Sequence, residues 1–128
     1  MKLWVAIAVA GGLGSLSRHG VGEWVRWMGW SSPAGTLTVN VVGSLLLGAL
    51  LQLSLRPEVP PEWKVVLGTG FLGAFTTYST FSVQTVELAR SGAWATALGN
   101  VGLNLVLGLG AAWCGIQLVR ALGGPLGP

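Results

Sequence analysis

Four apolar stretches, each about as long as a lipid bilayer is thick, take up most of this 128-residue chain. A helix needs about 20 mainly apolar residues to cross the hydrocarbon core of a membrane. We therefore predict helices over about 3–28, 34–55, 63–88 and 95–122, within a single domain that covers residues 1–128. Only 9% of the residues are charged, whereas soluble domains carry about a quarter. The pattern predicts an all-α membrane protein with several spans.

Proline and glycine mark the ends of these stretches. The segment RPEVPPEW, residues 56–63, cannot continue a helix, and the tail GGPLGP, residues 123–128, predicts a helix stop. Lys2 followed by LWVAIAVA resembles a short signal peptide. Because the apolar run continues into glycine-rich sequence, we interpret it as a retained first helix.

Lysine and arginine are almost evenly divided between the two sides that four spans create. One side holds four of these residues and the other holds three: Lys2, Arg56, Lys64 and Arg120 against Arg18, Arg26 and Arg90. Membrane proteins with one orientation keep such residues on the cytoplasmic side. The even count favours insertion in both orientations and an antiparallel dimer, unless another feature fixes the orientation.

Polar residues inside the predicted spans fall at helical spacing. Asn40 and Ser44 are four residues apart, as are Asn100 and Asn104, so each pair shares a helix face. The third stretch contains GAFTTYSTF, residues 73–81, with five consecutive hydroxyl-bearing residues between two phenylalanines. Buried polar groups in membranes face a bundle interior or a water-filled cavity. Single residues of this kind are explained by hydrogen bonds between helices, but the combined pattern favours a shared conduit.

The residues of such a conduit suit an anion. No carboxylate lies well inside a predicted span, whereas proton-coupled transporters use an embedded acid. The lining would offer hydroxyl and amide donors and one deep cation, Arg18. No paired acids, catalytic triad or phosphate loop is present, and no basic stripe of the kind that binds nucleic acid. We therefore expect a protein that is not an enzyme and has no nucleic-acid partner.

The segment GAFTTYSTF also predicts a break in the third helix. Glycine is a poor helix former, and threonine and serine side chains compete for backbone hydrogen bonds. Irregular backbone at membrane depth is tolerated where it is buried in protein or lines a cavity. Unwinding from Gly73 to Thr76 would free carbonyl oxygens that can hold a small cation.

Three segments together resemble the Fluc fluoride channels, also called CrcB proteins. They are GGLGSLSRH (11–19), GTLTVNVVGSLLLG (35–48) and GTGFLGAFTTYSTF (68–81), and the likeness extends over essentially the whole chain. The resemblance implies a passive, fluoride-specific exporter in the cell (inner or plasma) membrane that relieves fluoride toxicity. It implies an antiparallel, dual-topology homodimer with two pores and a central structural Na⁺ ion.

The resemblance also implies roles for individual residues. Backbone carbonyls of Gly73 and Thr76 from both subunits would hold the Na⁺ ion. Arg18 would lie near a vestibule. The fluoride pore would be lined by residues from the second, third and fourth helices: Asn40, Ser44, Tyr78, Ser79, Thr80, Phe81, Asn100 and Asn104.

Two departures from the family pattern leave alternatives open. Tyr78 stands where the family has phenylalanine, and amides at Asn100 and Asn104 stand where it often has tyrosine and serine. Some relatives function as pairs of different subunits, so this chain could require a paralogous partner. Two rival functions are a small dual-topology, proton-coupled exporter of organic cations and a non-transporting subunit of a larger complex. The first rival lacks the embedded carboxylate it needs, and the second does not explain the hydroxyl run.

Overall fold

The computed structural model describes residues 2–123, which form five helices and contain no strand. The helices are α1 (Lys2–Trp27), α2 (Ser32–Leu53), α3 (61–75), α4 (Tyr78–Arg90) and α5 (Trp94–Gly123). The predicted all-α fold class is confirmed. The bounds of α1, α2 and α5 lie within two residues of those predicted. Gly123 ends α5, and the rest of the predicted helix stop lies outside the described residues.

The third predicted helix differs from a regular span in two ways. Its first half, α3, consists of α-helical turns at Pro61–Trp63 and Gly73–Phe75 around a π-helical middle, Lys64–Leu72. Its second half, α4, begins only after two non-helical residues, Thr76 (φ −78°, ψ 159°) and Thr77 (φ −151°, ψ 107°). The predicted break therefore exists. The predicted extent, Gly73 to Thr76, is wrong because Gly73–Phe75 stays helical.

Proline and glycine set the helix ends. Pro33 lies in the first turn of α2 and Pro61 begins α3, where a missing N–H costs nothing. Gly29 and Gly92 follow α1 and α4 with φ angles of +82° and +83°. That left-handed conformation suits glycine, which has no Cβ.

Small residues let the helices pack in two close pairs. A Cβ atom on Gly14 of α1 would collide with the carbonyl group of Phe71 in α3, and one on Gly48 of α2 would collide with the backbone of Ala112 in α5. In lipid, where apolar surface gives helices no reason to associate, such close backbone contact drives packing.

Many large apolar side chains lie on the surface of the described chain, and several polar side chains are buried. Large apolar side chains such as Trp4, Trp27 and Leu109 are exposed, whereas Gln52 and Asn100 are buried. By length and composition, two helices of the described chain are able to cross a membrane, α2 and α5. The spans predicted at α1 and at α3–α4 stay predictions.

Candidate functional site

The break between α3 and α4 is built by two adjacent threonines. The backbone N–H of Thr76 makes the last helical hydrogen bond of α3, to the Leu72 carbonyl at 3.0 Å, and the Thr76 hydroxyl donates to the same carbonyl at 3.0 Å. Thr77 is the N-cap of α4, because its hydroxyl oxygen accepts the backbone N–H of Thr80 at 3.2 Å. The hydroxyl of Thr77 also donates to the Thr80 hydroxyl at 2.9 Å. Hydroxyls in the run therefore replace backbone partners that the break removes.

A side chain of α2 holds the break in place. The Oδ1 atom of Asn40 accepts the Thr77 backbone N–H at 2.8 Å, and its Nδ2 atom donates to the Thr77 carbonyl at 3.2 Å. The same Nδ2 donates to Oδ1 of Asn104 on α5 at 3.0 Å. Both N–H groups of Asn40 are thus used within the protein.

The break frees the two carbonyls that were predicted to hold a cation. In a continuous α-helix, the N–H groups of Thr77 and Thr80 would bond to the carbonyls of Gly73 and Thr76. Here those N–H groups bond to Asn40 and to the Thr77 hydroxyl instead. The Thr76 carbonyl receives only a long contact, 3.4 Å, from Nη1 of Arg18.

Backbone oxygens of this kind suit a hard cation, which prefers oxygen ligands. Within residues 2–123, no cluster of three or more His, Cys, Asp or Glu side chains offers an alternative metal site. The freed carbonyls of Gly73 and Thr76 are the oxygen ligands that the break itself provides.

A cleft of about 260 Å³, the Asn40 cleft, opens beside the break, between α2, α4 and α5. The rings of Tyr78 and Phe81 lie against it with their centroids 5.7 Å apart and their planes tilted by 52°. The cleft brings together five of the eight residues predicted to line a pore: Asn40, Ser44, Tyr78, Phe81 and Asn104. No Asp or Glu side chain lines it.

The other three predicted pore residues lie elsewhere. Thr80 lines a second cleft, of about 310 Å³, that also contains Arg18 and Arg26. Ser79 lines a third cleft, between the start of α2 and α4. Asn100 is buried behind Asn104 and lines none of these three clefts.

Arg18 gives the second cleft a positive charge. Arg26, in the same cleft, is paired with Glu23, whereas Arg18 forms no ion pair within the described part of the chain. Its guanidinium reaches the Thr76 carbonyl from α1. This position, beside the break and one cleft away from Phe81, suits the vestibule role predicted for it.

Two residues of the site were missed by sequence reasoning. Thr85 on α4 donates to the Phe81 carbonyl at 2.8 Å and accepts Nδ2 of Asn100 at 2.9 Å. Gly43 lies against the break, where a Cβ atom would collide with the methyl group of Thr76. The available signal was helical spacing, since Thr85 is four residues after Phe81 and Gly43 is three residues after Asn40.

Comparison with known proteins gives a consistent result. The family described as "CrcB-like protein, Camphor Resistance (CrcB)" has a sequence model that matches residues 5–116. The chain is 49% identical to fluoride-specific ion channel FluC 1 of Symbiobacterium thermophilum, with 90% of this chain and 95% of that protein covered.

Two further relatives carry the same description. FluC 2 of the same organism is 44% identical, with 88% of this chain and 93% of the relative covered. The FluC protein of Geobacter metallireducens is also 44% identical, with 92% of this chain and 97% of the relative covered.

Proposed function

This chain belongs to the CrcB-like protein family, and we propose that it is a membrane channel that lets fluoride leave the cell passively. The observation that carries the proposal is the cleft beside the helix break, where Asn40, Tyr78 and Phe81 meet. The names of the relatives supply the ion, and the absence of a carboxylate from the cleft lining agrees with an anion. Export through the inner or plasma membrane would relieve fluoride toxicity.

The donors available to an anion in this cleft are hydroxyls and ring edges. The N–H groups of Asn40 and Asn104 are already spent on protein acceptors. The hydroxyls of Ser44 and Tyr78 have no partner within residues 2–123, and Tyr78 is 80% exposed. An aromatic ring has a positive edge. Ser44, Tyr78 and Phe81 would therefore replace part of the hydration shell of fluoride without binding it tightly, as conduction requires.

The residues outside the cleft would form the approach to it. Arg18 would raise the local anion concentration in the second cleft by its unpaired positive charge. Ser79 and Thr80 would offer hydroxyls on the α4 surface between that cleft and the aromatic pair. Asn100, which accepts a hydrogen bond from Asn104, would affect the ion only through the Asn104 side chain.

We propose an antiparallel dimer with two pores and one central Na⁺ ion. Gly73 is exposed on a single chain, and its carbonyl and that of Thr76 lack helical donors. One chain supplies only two carbonyl oxygens, which cannot surround a hard cation. A second copy would add its own two carbonyls, and the bound cation would tie the subunits together and make the potential for fluoride more favourable.

Fluoride efflux from proteoliposomes, followed with a fluoride electrode, tests the function. Purified homodimer should release fluoride without an imposed proton gradient and should release chloride far more slowly. Efflux no faster than from protein-free vesicles, with protein shown to be folded, would reject the homodimer as a fluoride channel. Replacing sodium by a large organic cation on both sides should weaken the dimer in a subunit-exchange measurement.

A channel made from two different chains is the second candidate. Symbiobacterium thermophilum has two relatives, FluC 1 and FluC 2, and Tyr78 departs from the phenylalanine of the family pattern. If the homodimer folds but releases no fluoride, co-expression of this chain with a paralogue from its own organism should restore efflux.

A further inference from the structure

Five hydrogen bonds lead from Thr77 through α2 and α5 back to Phe81 on α4, and the backbone between Thr77 and Phe81 closes them into a ring. The ring begins at the Thr77 backbone N–H, which donates to Oδ1 of Asn40 at 2.8 Å. Nδ2 of Asn40 donates to Oδ1 of Asn104 at 3.0 Å. Nδ2 of Asn104 donates to Oδ1 of Asn100 at 3.2 Å.

The ring then returns to α4. Nδ2 of Asn100 donates to the Thr85 hydroxyl oxygen at 2.9 Å, and the Thr85 hydroxyl donates to the Phe81 carbonyl at 2.8 Å. Phe81 lies one helical turn after Thr77, where the ring started. Each side chain in the ring accepts a hydrogen bond from the residue before it and donates one to the residue after it.

We propose that Asn100 and Thr85 are positioning residues, which fix the orientation of the Asn40 carboxamide and through it the geometry of the helix break. The proposal rests on the proposed function, because it assigns these residues an effect on fluoride passage. Neither residue lines the Asn40 cleft, and Asn100 is only 7% exposed. Both therefore act through other side chains rather than on the ion.

Thr85 sets which atom of each amide in the ring donates and which accepts. Its only hydrogen is committed to the Phe81 carbonyl, so its oxygen can only accept, and Asn100 must present Nδ2 to it. Asn100 then presents Oδ1 to Nδ2 of Asn104, which also donates to the Asn100 backbone carbonyl at 2.9 Å, and Asn104 presents its Oδ1 to Asn40. Together with the Thr77 carbonyl, which accepts Nδ2 of Asn40, this direction makes Asn40 present its own Oδ1 to the Thr77 N–H. Such a chain of buried polar groups is costly to leave partly unpaired.

A reversed Asn40 carboxamide would change the surroundings of an anion in the cleft. If the carboxamide of Asn40 turned over, its Oδ1 would lie near the Thr77 carbonyl and the Thr77 N–H would lose its acceptor. The break would then be less well held, and the Tyr78 and Phe81 rings that follow it would lose their fixed place beside the cleft. In enzymes, a misplacement of about 1 Å slows a reaction between positioned groups strongly, and by the same reasoning the displaced rings would pass the anion more slowly.

The test uses Asn100→Leu and Thr85→Val, with Thr38→Val as the matched control. Thr38 is also a half-buried threonine that donates to a carbonyl of its own helix, at 2.9 Å, but it is outside the ring. The first measurement is hydrogen exchange of the Thr77 amide in the folded dimer, by mass spectrometry. The second is fluoride efflux per folded dimer.

We expect both ring variants to raise the exchange rate at Thr77 by about threefold or more, the factor expected for one interhelical bond. Efflux should fall about tenfold, and Thr38→Val should change neither quantity. Thr85→Ser, which keeps the hydroxyl, should behave as wild type. Thr85→Val is nearly isosteric, so it decides the matter if Asn100→Leu fails to fold.

Unchanged exchange at Thr77 in Thr85→Val would overturn the proposal. Raised exchange with full efflux would also overturn it, because the ring would then be only a structural tie. Failure of the channel function is a separate result, since wild-type protein would then release no fluoride while the exchange measurement still tests the link from Thr85 to Thr77.

Discussion

The carboxamide of Asn40 on α2 bonds to both backbone groups of Thr77, the N–H at 2.8 Å and the carbonyl at 3.2 Å. Thr77 belongs to the break between α3 and α4, so Asn40 supplies the acceptor for the Thr77 N–H that the Gly73 carbonyl would supply in a continuous helix. An irregular backbone inside a bundle requires such partners, because an unpaired buried polar group is costly. The break is therefore a fixed part of the fold rather than a frayed helix end.

Replacing Asn40 by Asp should suppress fluoride efflux by about tenfold or more. A carboxylate cannot donate to Thr77 or Asn104, and its charge would repel an anion in the cleft. Gln52→Glu is the matched control, because it adds the same charge to α2 where Arg120 already donates to the side chain at 3.1 Å. Equal efflux from both variants would contradict a special role for Asn40.

Phe81→Ile should lower fluoride efflux sharply while the dimer remains intact. Isoleucine keeps an apolar volume but has no ring edge to face an anion. Phe71→Ile is the control, since Phe71 stacks on Phe75, with 6.0 Å between centroids, and lies outside the Asn40 cleft. Efflux from proteoliposomes, normalised to the dimer fraction measured by gel filtration, makes the comparison. Wild-type efflux from Phe81→Ile would count against the ring-edge role.

Ser44→Ala should reduce efflux at low fluoride concentration more than at high concentration. Its hydroxyl lines the cleft and has no partner in the part of the chain that the structure describes, so it is free to donate to an anion. Ser82→Ala is the control, because the Ser82 hydroxyl is committed to the Tyr78 carbonyl at 2.9 Å. The concentration dependence of initial efflux rates distinguishes the two. If both variants match wild type at every concentration, Ser44 makes no contact with the ion.

Gly43→Ala should destabilise the protein by about 1–3 kcal/mol, the usual cost of overpacking. The new methyl group would collide with the side chain of Thr76 at the break. Gly102→Ala is the control, because open space surrounds a Cβ atom at Gly102, and alanine favours a helix. Thermal unfolding in detergent compares the two variants. Equal stability would mean that the contact between α2 and the break is easily relaxed.

The sequence was sufficient for the all-α fold, for the bounds of three helices and for two pairs of polar residues. Apolar length and proline position predicted the ends of α1, α2 and α5 within two residues. The four-residue spacing correctly placed Asn40 with Ser44 in one cleft, and Asn100 beside Asn104. These predictions succeed because helical periodicity and bilayer length act locally along the chain.

The exact place of the break could not be predicted from local propensity. Gly73 is the weakest helix former in its segment, yet Gly73–Phe75 is helical and the chain departs from the helix at Thr76 and Thr77. The reason lies in another helix, because Asn40 takes the N–H that Thr77 would have given to Gly73. The ring through Thr85 was missed for the same reason, since its bonds join residues up to 64 positions apart.

By itself, the sequence determined that this chain is an apolar, all-α protein with amides and hydroxyls at helical spacing, because each of those properties depends only on neighbouring residues. Only the tertiary structure decided which of those polar groups are consumed by the protein and which stay free. Asn40 and Asn104 are paired across helices, whereas Ser44 and Tyr78 line the cleft and their hydroxyls have no partner in residues 2–123. Pairing depends on how α2, α4 and α5 approach one another, and no local pattern encodes that approach.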